Sequence, residues 1–203
     1  DGQLLMEYAV EKRIFVPVDK IPDQVKNAFI AAEDKKFYSH SGIDYVGIIR
    51  AVLGNLKNIG TGRRPAGAST ITQQVAKNLF LTPNKNIKRK IQELLLAFWL
   101  EHKFSKDQIM ALYLNRVYLG AGTYGIEAAA NKYFQKTSAD LNLKESAIIA
   151  GMLKAPTRYN PIANPERAES RARIVLQNMV DEGYISEEAV SYTHLTLPTI
   201  CSV

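Results

Sequence analysis

Apolar residues recur at helical spacing along most of this chain. Val25, Ala28, Phe29 and Ala32 follow Ile21-Pro22-Asp23, where proline suits a first helical turn and Asp the positive helix end. That helix delivers Glu33 near its C-terminal end. Behind Asp44, a plausible N-cap, Val46, Ile49, Val52, Leu53 and Leu56 predict a second helix with these residues on its buried side. Ser69 is the expected cap of a third helix reaching Leu79. Asn84 or Asn86 then caps a long one, whose apolar face is Ile87, Ile91, Leu94, Leu95 and Phe98. Trp99 and Leu100 widen that face, which predicts a central position. Ser105 with Gln108 matches the capping box, and Asn142 with Glu145 caps a helix through Leu153. Between them, Ile126 to Phe134 is an alanine-rich helix. Asn164-Pro165-Glu166 opens a helix ending near Gly183, and Ser186 starts a short last one. Only Arg13 to Val18 reads as strand-like. The expected fold is mainly α, in a compact bundle-like domain.

Three stretches break the pattern. Asn58 to Gly67, rich in glycine and arginine, reads as a mobile loop, and Leu119 to Gly125 as a glycine-punctuated turn. From Ser191 the helical period stops. Residues 191–203 read as a non-native or vector-derived tail, which leaves residues 1–190 as the expected domain. The chain begins at Asp1 with neither Met nor a signal pattern, so it is expected to be part of a longer protein. No apolar run approaches the roughly eighteen residues that span a membrane.

Composition adds two constraints. The single cysteine, Cys201, excludes a disulfide framework and a cysteine metal site. The net charge of +6 favours anionic partners. Its distribution is more telling. No Asp or Glu lies between Asp44 and Glu93, while that interval holds nine cations: Arg50, Lys57, Arg63, Arg64, Lys77, Lys85, Lys88, Arg89 and Lys90. An ordinary solvated face mixes both signs. The stretch therefore predicts an anion that arrives from outside, with Glu33 and Glu93 flanking it in sequence. Displacement of a phosphate or diphosphate suits this set. Cations stabilise the leaving group while a carboxylate takes a proton from the attacking hydroxyl. Ser69, Thr70, Gln73 and Gln74 add neutral donors at a helix N-terminus. Glycoside hydrolysis by paired carboxylates and nucleic-acid binding are the rival readings. Taken singly, Glu93 reads equally as a surface ion pair with Lys90 or Arg89, and His40 as structural. Trp99 and Tyr113, Tyr118, Tyr124 and Tyr133 read as packing residues.

Ordered motifs narrow the choice. They are Glu33-Asp34-x-x-Phe37-x-x-His40-x-Gly42-x-Asp44, Gly67-x-Ser69-Thr70-Ile71-Thr72-Gln73-Gln74 with Lys77-Asn78, and Arg89-Lys90-x-x-Glu93 with Ala97 and Leu100-Glu101. Tyr113-Leu114-Asn115 leading to Tyr118-Leu119-Gly120 and Tyr124-Gly125 follows, then Ala155-Pro156 and Tyr159-Asn160-Pro161. In this order they resemble the peptidoglycan glycosyltransferases of family 51, the domain of class A penicillin-binding proteins and monofunctional transglycosylases. The resemblance implies a lysozyme-like helical fold with a smaller mobile lobe, and polymerisation of lipid II into β-1,4-linked glycan with inversion.

By the same resemblance, Glu33 deprotonates the acceptor 4-hydroxyl. Glu93 orients the donor or helps hold a divalent cation (Mg or Mn) at the diphosphate; no organic cofactor is implied. Lys77 and Lys90 neutralise the diphosphate, with Arg89 and Lys85 as further contacts. Ser69, Gln73 and Gln74 contact donor sugar or phosphate. Asp34, Phe37 and His40 shape the loop beside the base. Burial is expected to raise the Glu33 pKa against the pull of the cations. The implied partners are lipid II, the growing glycan, a membrane surface and a C-terminal transpeptidase domain, and not nucleic acid. The implied location is the outer face of the bacterial cytoplasmic membrane, with the anchor before Asp1. Leu53, Leu56, Ile59, Leu79, Phe80 and Leu81 are candidates to meet that membrane.

Overall fold

The computed structural model describes residues 15–57, 69–81 and 86–195. Nine α-helices form in these residues: α1 Asp23–Glu33, α2 Tyr45–Lys57, α3 Ile71–Phe80, α4 Ile87–Lys103, α5 Lys106–Arg116, α6 Ile126–Phe134, α7 Leu143–Met152, α8 Pro165–Asp181 and α9 Glu187–Leu195. No strand is present among the described residues; Tyr118 and Tyr124 form one isolated antiparallel bridge. The expected strand-like segment is partly described. Its Val16 does pair its backbone, but with a side chain: Val16 N donates to Asn115 Oδ1 at 2.7 Å, and Asn115 Nδ2 donates to Val16 O at 2.8 Å.

The central helix is α7, not α4. Every α7 residue from Lys144 to Met152 is buried, and α1, α6 and α8 all pack on it. A helix surrounded in this way is apolar or small on nearly all sides. Its polar exceptions are satisfied. Lys144 pairs with Glu169 at 3.1 Å, and Lys136 with Glu145 at 2.8 Å. The long helix α4 buries only Glu93, Ala97 and Leu100, and leaves Ile87, Ile91, Leu95, Phe98 and Trp99 exposed. The face expected to be buried on α2 is also outward: Val46, Ile49, Val52, Leu53 and Leu56 are each more than half exposed. Apolar periodicity marks one side of a helix but does not say what covers it. Here the small and polar sides of α2 and α4 turn toward the protein.

Most caps fall where the sequence places them. Asn86, Ser105 and Asn142 cap α4, α5 and α7, the last two as full capping boxes. Asp44 Oδ1 accepts from Gly47 N at 2.9 Å at the start of α2. For α3 the cap is Thr70, whose Oγ1 accepts from Gln73 N at 3.2 Å, and this frees the Ser69 hydroxyl. Helix α9 runs to Leu195, past the expected break at Ser191, since extending a formed helix costs little. Residues 196–203 lie outside the described residues.

Candidate active site

Helix α1 ends at Glu33, and the next residue begins a stitched loop. Asp34 is buried and accepts from Ile71 N at 2.9 Å, the first residue of α3. Both of its oxygens also lie 3.0 Å from His40 Nε2. Gly42 N donates to His40 Nδ1 at 3.1 Å, so Nδ1 is the acceptor and Nε2 carries the hydrogen that goes to Asp34. Thr70 Oγ1 donates to Gly42 O at 2.6 Å and closes the circuit. Phe37 is fully buried beneath, with Lys106 Nζ 4.6 Å from its ring centre. Asp34, Phe37 and His40 thus lie at the centre of the loop that follows Glu33.

Gly42 is required twice over. Its φ is +87°, and a Cβ there would lie 3.2 Å from Ala97 O and 3.1 Å from Glu101 Cγ. Gly42→Ala is therefore expected to lower stability by about 1–3 kcal/mol, read as a fall in the denaturant midpoint at unchanged slope.

Glu33 lines a cleft of about 410 Å³, a size suited to a small organic ligand. Across it stand Gly47, Arg50, Ala51 and Gly54, one face of α2, so that the outward apolar face of α2 and its cleft face are opposite sides of one helix. Ser69 and Thr70 form the wall, and Asn178 and Glu182 arrive from α8. Burial raises the Glu33 pKa above the ordinary glutamate value. Against that, Gln74 Nε2 donates to Glu33 Oε2 at 2.8 Å, and the Arg171 and Lys77 charges favour the carboxylate; Asp34 opposes them. The expected direction holds, with the cause mainly burial.

The second acid is placed differently. Glu93 is buried and ion-paired to Lys90, and is not among the residues lining the cleft. Lys90 Nζ also reaches Ser69 Oγ at 3.1 Å and Gln73 Oε1 at 3.3 Å. Ser69 lines the cleft, so Glu93 touches this site through Lys90 and Ser69. The two acids are nonetheless organised by one turn: Gln74 holds Glu33 while the adjacent Gln73 contacts Lys90.

Among the remaining sequence candidates, Lys77 sits on α3 within electrostatic reach of Glu33, and Arg89 on the first turn of α4. Lys85 lies outside the described residues, as do Ile59, Arg63 and Arg64. No group of three or more His, Cys, Asp or Glu among the described residues is placed to hold a divalent cation. The acid nearest the Lys90 cluster is already neutralised by that lysine.

Sequence reading passed over Arg171 and Asn178 on α8 and Glu182 just past its end, and took Tyr113 as packing alone. Tyr113 is buried edge-on to Phe29, with a hydroxyl that has no hydrogen-bond partner. Burial raises its pKa, and the charges of Glu33 and Asp34 add to that. One signal for Arg171 was available. It sits next to Ala172 on the edge of the Ala168, Ala172, Val175, Met179 buried stripe, where a cation is unusual.

Three comparisons bear on this arrangement. The family model described as Transglycosylase matches residues 1–180. The chain is 51% identical over 187 residues to penicillin-binding protein 1A of Aquifex aeolicus (strain VF5), covering 92% of this chain and 25% of that protein. It is 47% identical over 193 residues to penicillin-binding protein 1A of Escherichia coli (strain K12), covering 95% of this chain and 22% of that protein. The fold is similar to the crystal structure of penicillin-binding protein 1A from Haemophilus influenzae, with a TM-score of 0.53 and 28% identity, over 99% of this chain and 20% of that one. The chain thus spans about a quarter of the length of these relatives.

Proposed function

The chain belongs to the transglycosylase family, and from this we propose that it is the glycan-polymerising part of a longer protein. In this reading it is a peptidoglycan glycosyltransferase that joins lipid II units into β-1,4-linked strands. The acceptor 4-hydroxyl oxygen forms a bond to the anomeric carbon of the donor as the bond from that carbon to the phosphate oxygen breaks. The electron pair leaves with undecaprenyl diphosphate, the hydroxyl proton passes to Glu33, and the configuration inverts.

The observation that carries this reading is the first turn of α3. It places Gln74 on the Glu33 carboxylate and Gln73 on the Lys90 ammonium, so a base and a cation are held on either side of one short backbone segment. Lys90, Lys77 and the Ser69 hydroxyl stabilise the departing diphosphate. Glu93 acts by holding Lys90 in place. A hydrolase reading lacks this support, because its leaving group is a neutral sugar oxygen with no use for a cation cluster.

The outward residues of α2, α3 and α4 support a membrane-facing role. Leu53, Leu56, Phe80 and Trp99 are each about half exposed, and the lipid-linked substrate lies in a membrane. Leu79, another candidate, packs against the core instead. None of the described helices is long and apolar enough to cross a membrane. We propose that the longer protein also carries a membrane anchor and a transpeptidase domain, as the family resemblance implies; the chain covers 25% of its Aquifex aeolicus relative.

A pH profile tests the base assignment. The acidic limb of kcat/KM for lipid II polymerisation is expected above the ordinary glutamate value of 4.5, because Glu33 must be ionised to act and burial raises its pKa. A limb at or below that value removes Glu33 from the role.

A further inference from the structure

The first turn of α3 is held from several sides. Successive residues of a helix point about 100° apart, so four in a row face four directions. Ile71 N donates to Asp34, Gln73 Oε1 accepts from Lys90, and Gln74 Nε2 donates to Glu33. The fourth residue, Thr72, is fully buried and lies nearly opposite Gln74 around the helix axis. Its Oγ1 donates to Glu101 Oε1 at 2.6 Å. Glu101 stands near the end of α4 and is not among the residues lining the cleft.

Glu101 joins this turn to the loop after Glu33 and to α5. Lys106 Nζ donates to the same Oε1 at 2.7 Å and stands 4.6 Å from the Phe37 ring centre. Gly42 packs on the Glu101 stem, where a Cβ would come within 3.1 Å of Glu101 Cγ. Both members of the ion pair are mostly buried. A bond from a hydroxyl to an ionised carboxylate is among the stronger kinds. Such a pair is weak evidence for stability by itself, because desolvation offsets attraction. What it supplies here is a fixed direction for Thr72.

Two other bonds of this turn go to groups that meet substrate in the proposed reaction, Glu33 and Lys90, so neither can also fix the helix. The Ile71 N–H lies close to the axis and restrains rotation little. Rotation by about 10° carries a side-chain end, roughly 5–6 Å from the axis, through about 1 Å. That is enough to break the 2.8 Å bond from Gln74 to Glu33. We propose that Glu101 is a positioning residue for the site: by holding Thr72 it sets the rotation of α3, and so keeps Gln74 on Glu33 and Gln73 on Lys90. The grip itself stands on these contacts, and only its kinetic consequence rests on Glu33 being the base.

The test is carboxyl-carbon NMR of the Glu-labelled chain, with the Glu33 signal assigned by its absence in Glu33→Gln. The Gln74 bond favours the carboxylate, so losing it makes Glu33 hold its proton to higher pH. The Asp34, Lys77 and Arg171 charges also act on Glu33, Tyr113 of α5 feels Glu33 in turn, and Asp44 and Arg50 line the cleft. Thr72→Val alters none of them. It is expected to raise the Glu33 midpoint by roughly half a pH unit, while Thr72→Ser, which keeps the hydroxyl, leaves it in place. In a Gln74→Leu background the midpoint starts higher and Thr72→Val adds nothing. Glu101→Gln should raise it too. The sign is informative there, because loss of a negative charge alone would lower the midpoint.

An unmoved midpoint in Thr72→Val, an equal rise in Thr72→Ser, or the same rise with and without Gln74 overturns the proposal, whatever happens to stability. If Thr72→Val does not fold, Glu101→Gln decides: a rise supports the proposal, and a fall or no change overturns it. A midpoint that moves while the acidic limb of kcat/KM stays in place supports the Glu101 grip and counts against Glu33 as the base.

Discussion

Replacing Glu33 with Gln is expected to cut lipid II polymerisation roughly 10³-fold, while lipid II binding stays within a few-fold of wild type. Gln keeps the shape of the side chain and an oxygen for Gln74 Nε2, which donates at 2.8 Å in the native site. What it removes is the ability to accept the acceptor proton. A loss confined to kcat is the mark of an interaction needed only in the transition state. The same variant has a second signature. Burial raises the folded pKa of Glu33 above its unfolded value, so its contribution to stability is full below the unfolded pKa and is lost as pH rises through the folded one. Gln has no proton to lose. The melting temperature of Glu33→Gln should match wild type in acid and exceed it at neutral pH. Scanning calorimetry from acid to neutral pH, run beside the polymer assay, checks both. Polymerisation near the wild-type rate, or a melting difference that does not grow with pH, would contradict the assignment.

Lys90→Met should lower kcat/KM for the donor about 100-fold, and destabilise the fold as well. Lys90 Nζ contacts Ser69, Gln73 and Glu93 together. Met fills the space of the stem but leaves the Glu93 carboxylate buried without its cation. Breaking a fully buried pair costs roughly 3–5 kcal/mol. Lys90 is 46% exposed at its side chain, so water screens the pair, and about 1–3 kcal/mol is the discounted expectation. The double variant Lys90→Met with Glu93→Gln separates the two effects. Removing the stranded carboxylate should restore most of the stability and none of the activity. Recovery of activity with stability would mean that Lys90 serves the fold alone and does not meet the diphosphate.

The helices were legible because caps and turn residues are local. Asn86, Ser105 and Asn142 cap where the spacing places them, and the Pro165 start of α8 follows the same logic. The interior was less legible. Apolar residues on α2 and α4 face outward, so the same periodicity that signals a buried face elsewhere marks an uncovered one here. The buried helix α7 shows no comparable stripe, being small and apolar on most sides.

For the site, the acid-free basic stretch located the Lys90 cluster, and the motif around Glu33 located the loop. Two placements were out of reach. The Thr70 cap in place of Ser69 depends on Thr70 also bonding Gly42, a contact across 28 positions. The Arg171 charge that favours the Glu33 carboxylate comes from α8, far away in sequence, which no local spacing encodes.

The central claim, that this chain polymerises a lipid-linked sugar through Glu33, is tested most directly by product analysis. Wild type and Glu33→Gln are each given lipid II in detergent, and finished glycan in parallel. The account predicts a ladder of glycan from wild type with one lipid diphosphate released per new bond, almost no ladder from Glu33→Gln, and finished glycan left uncut by both. Cutting of finished glycan with no ladder from lipid II would contradict it.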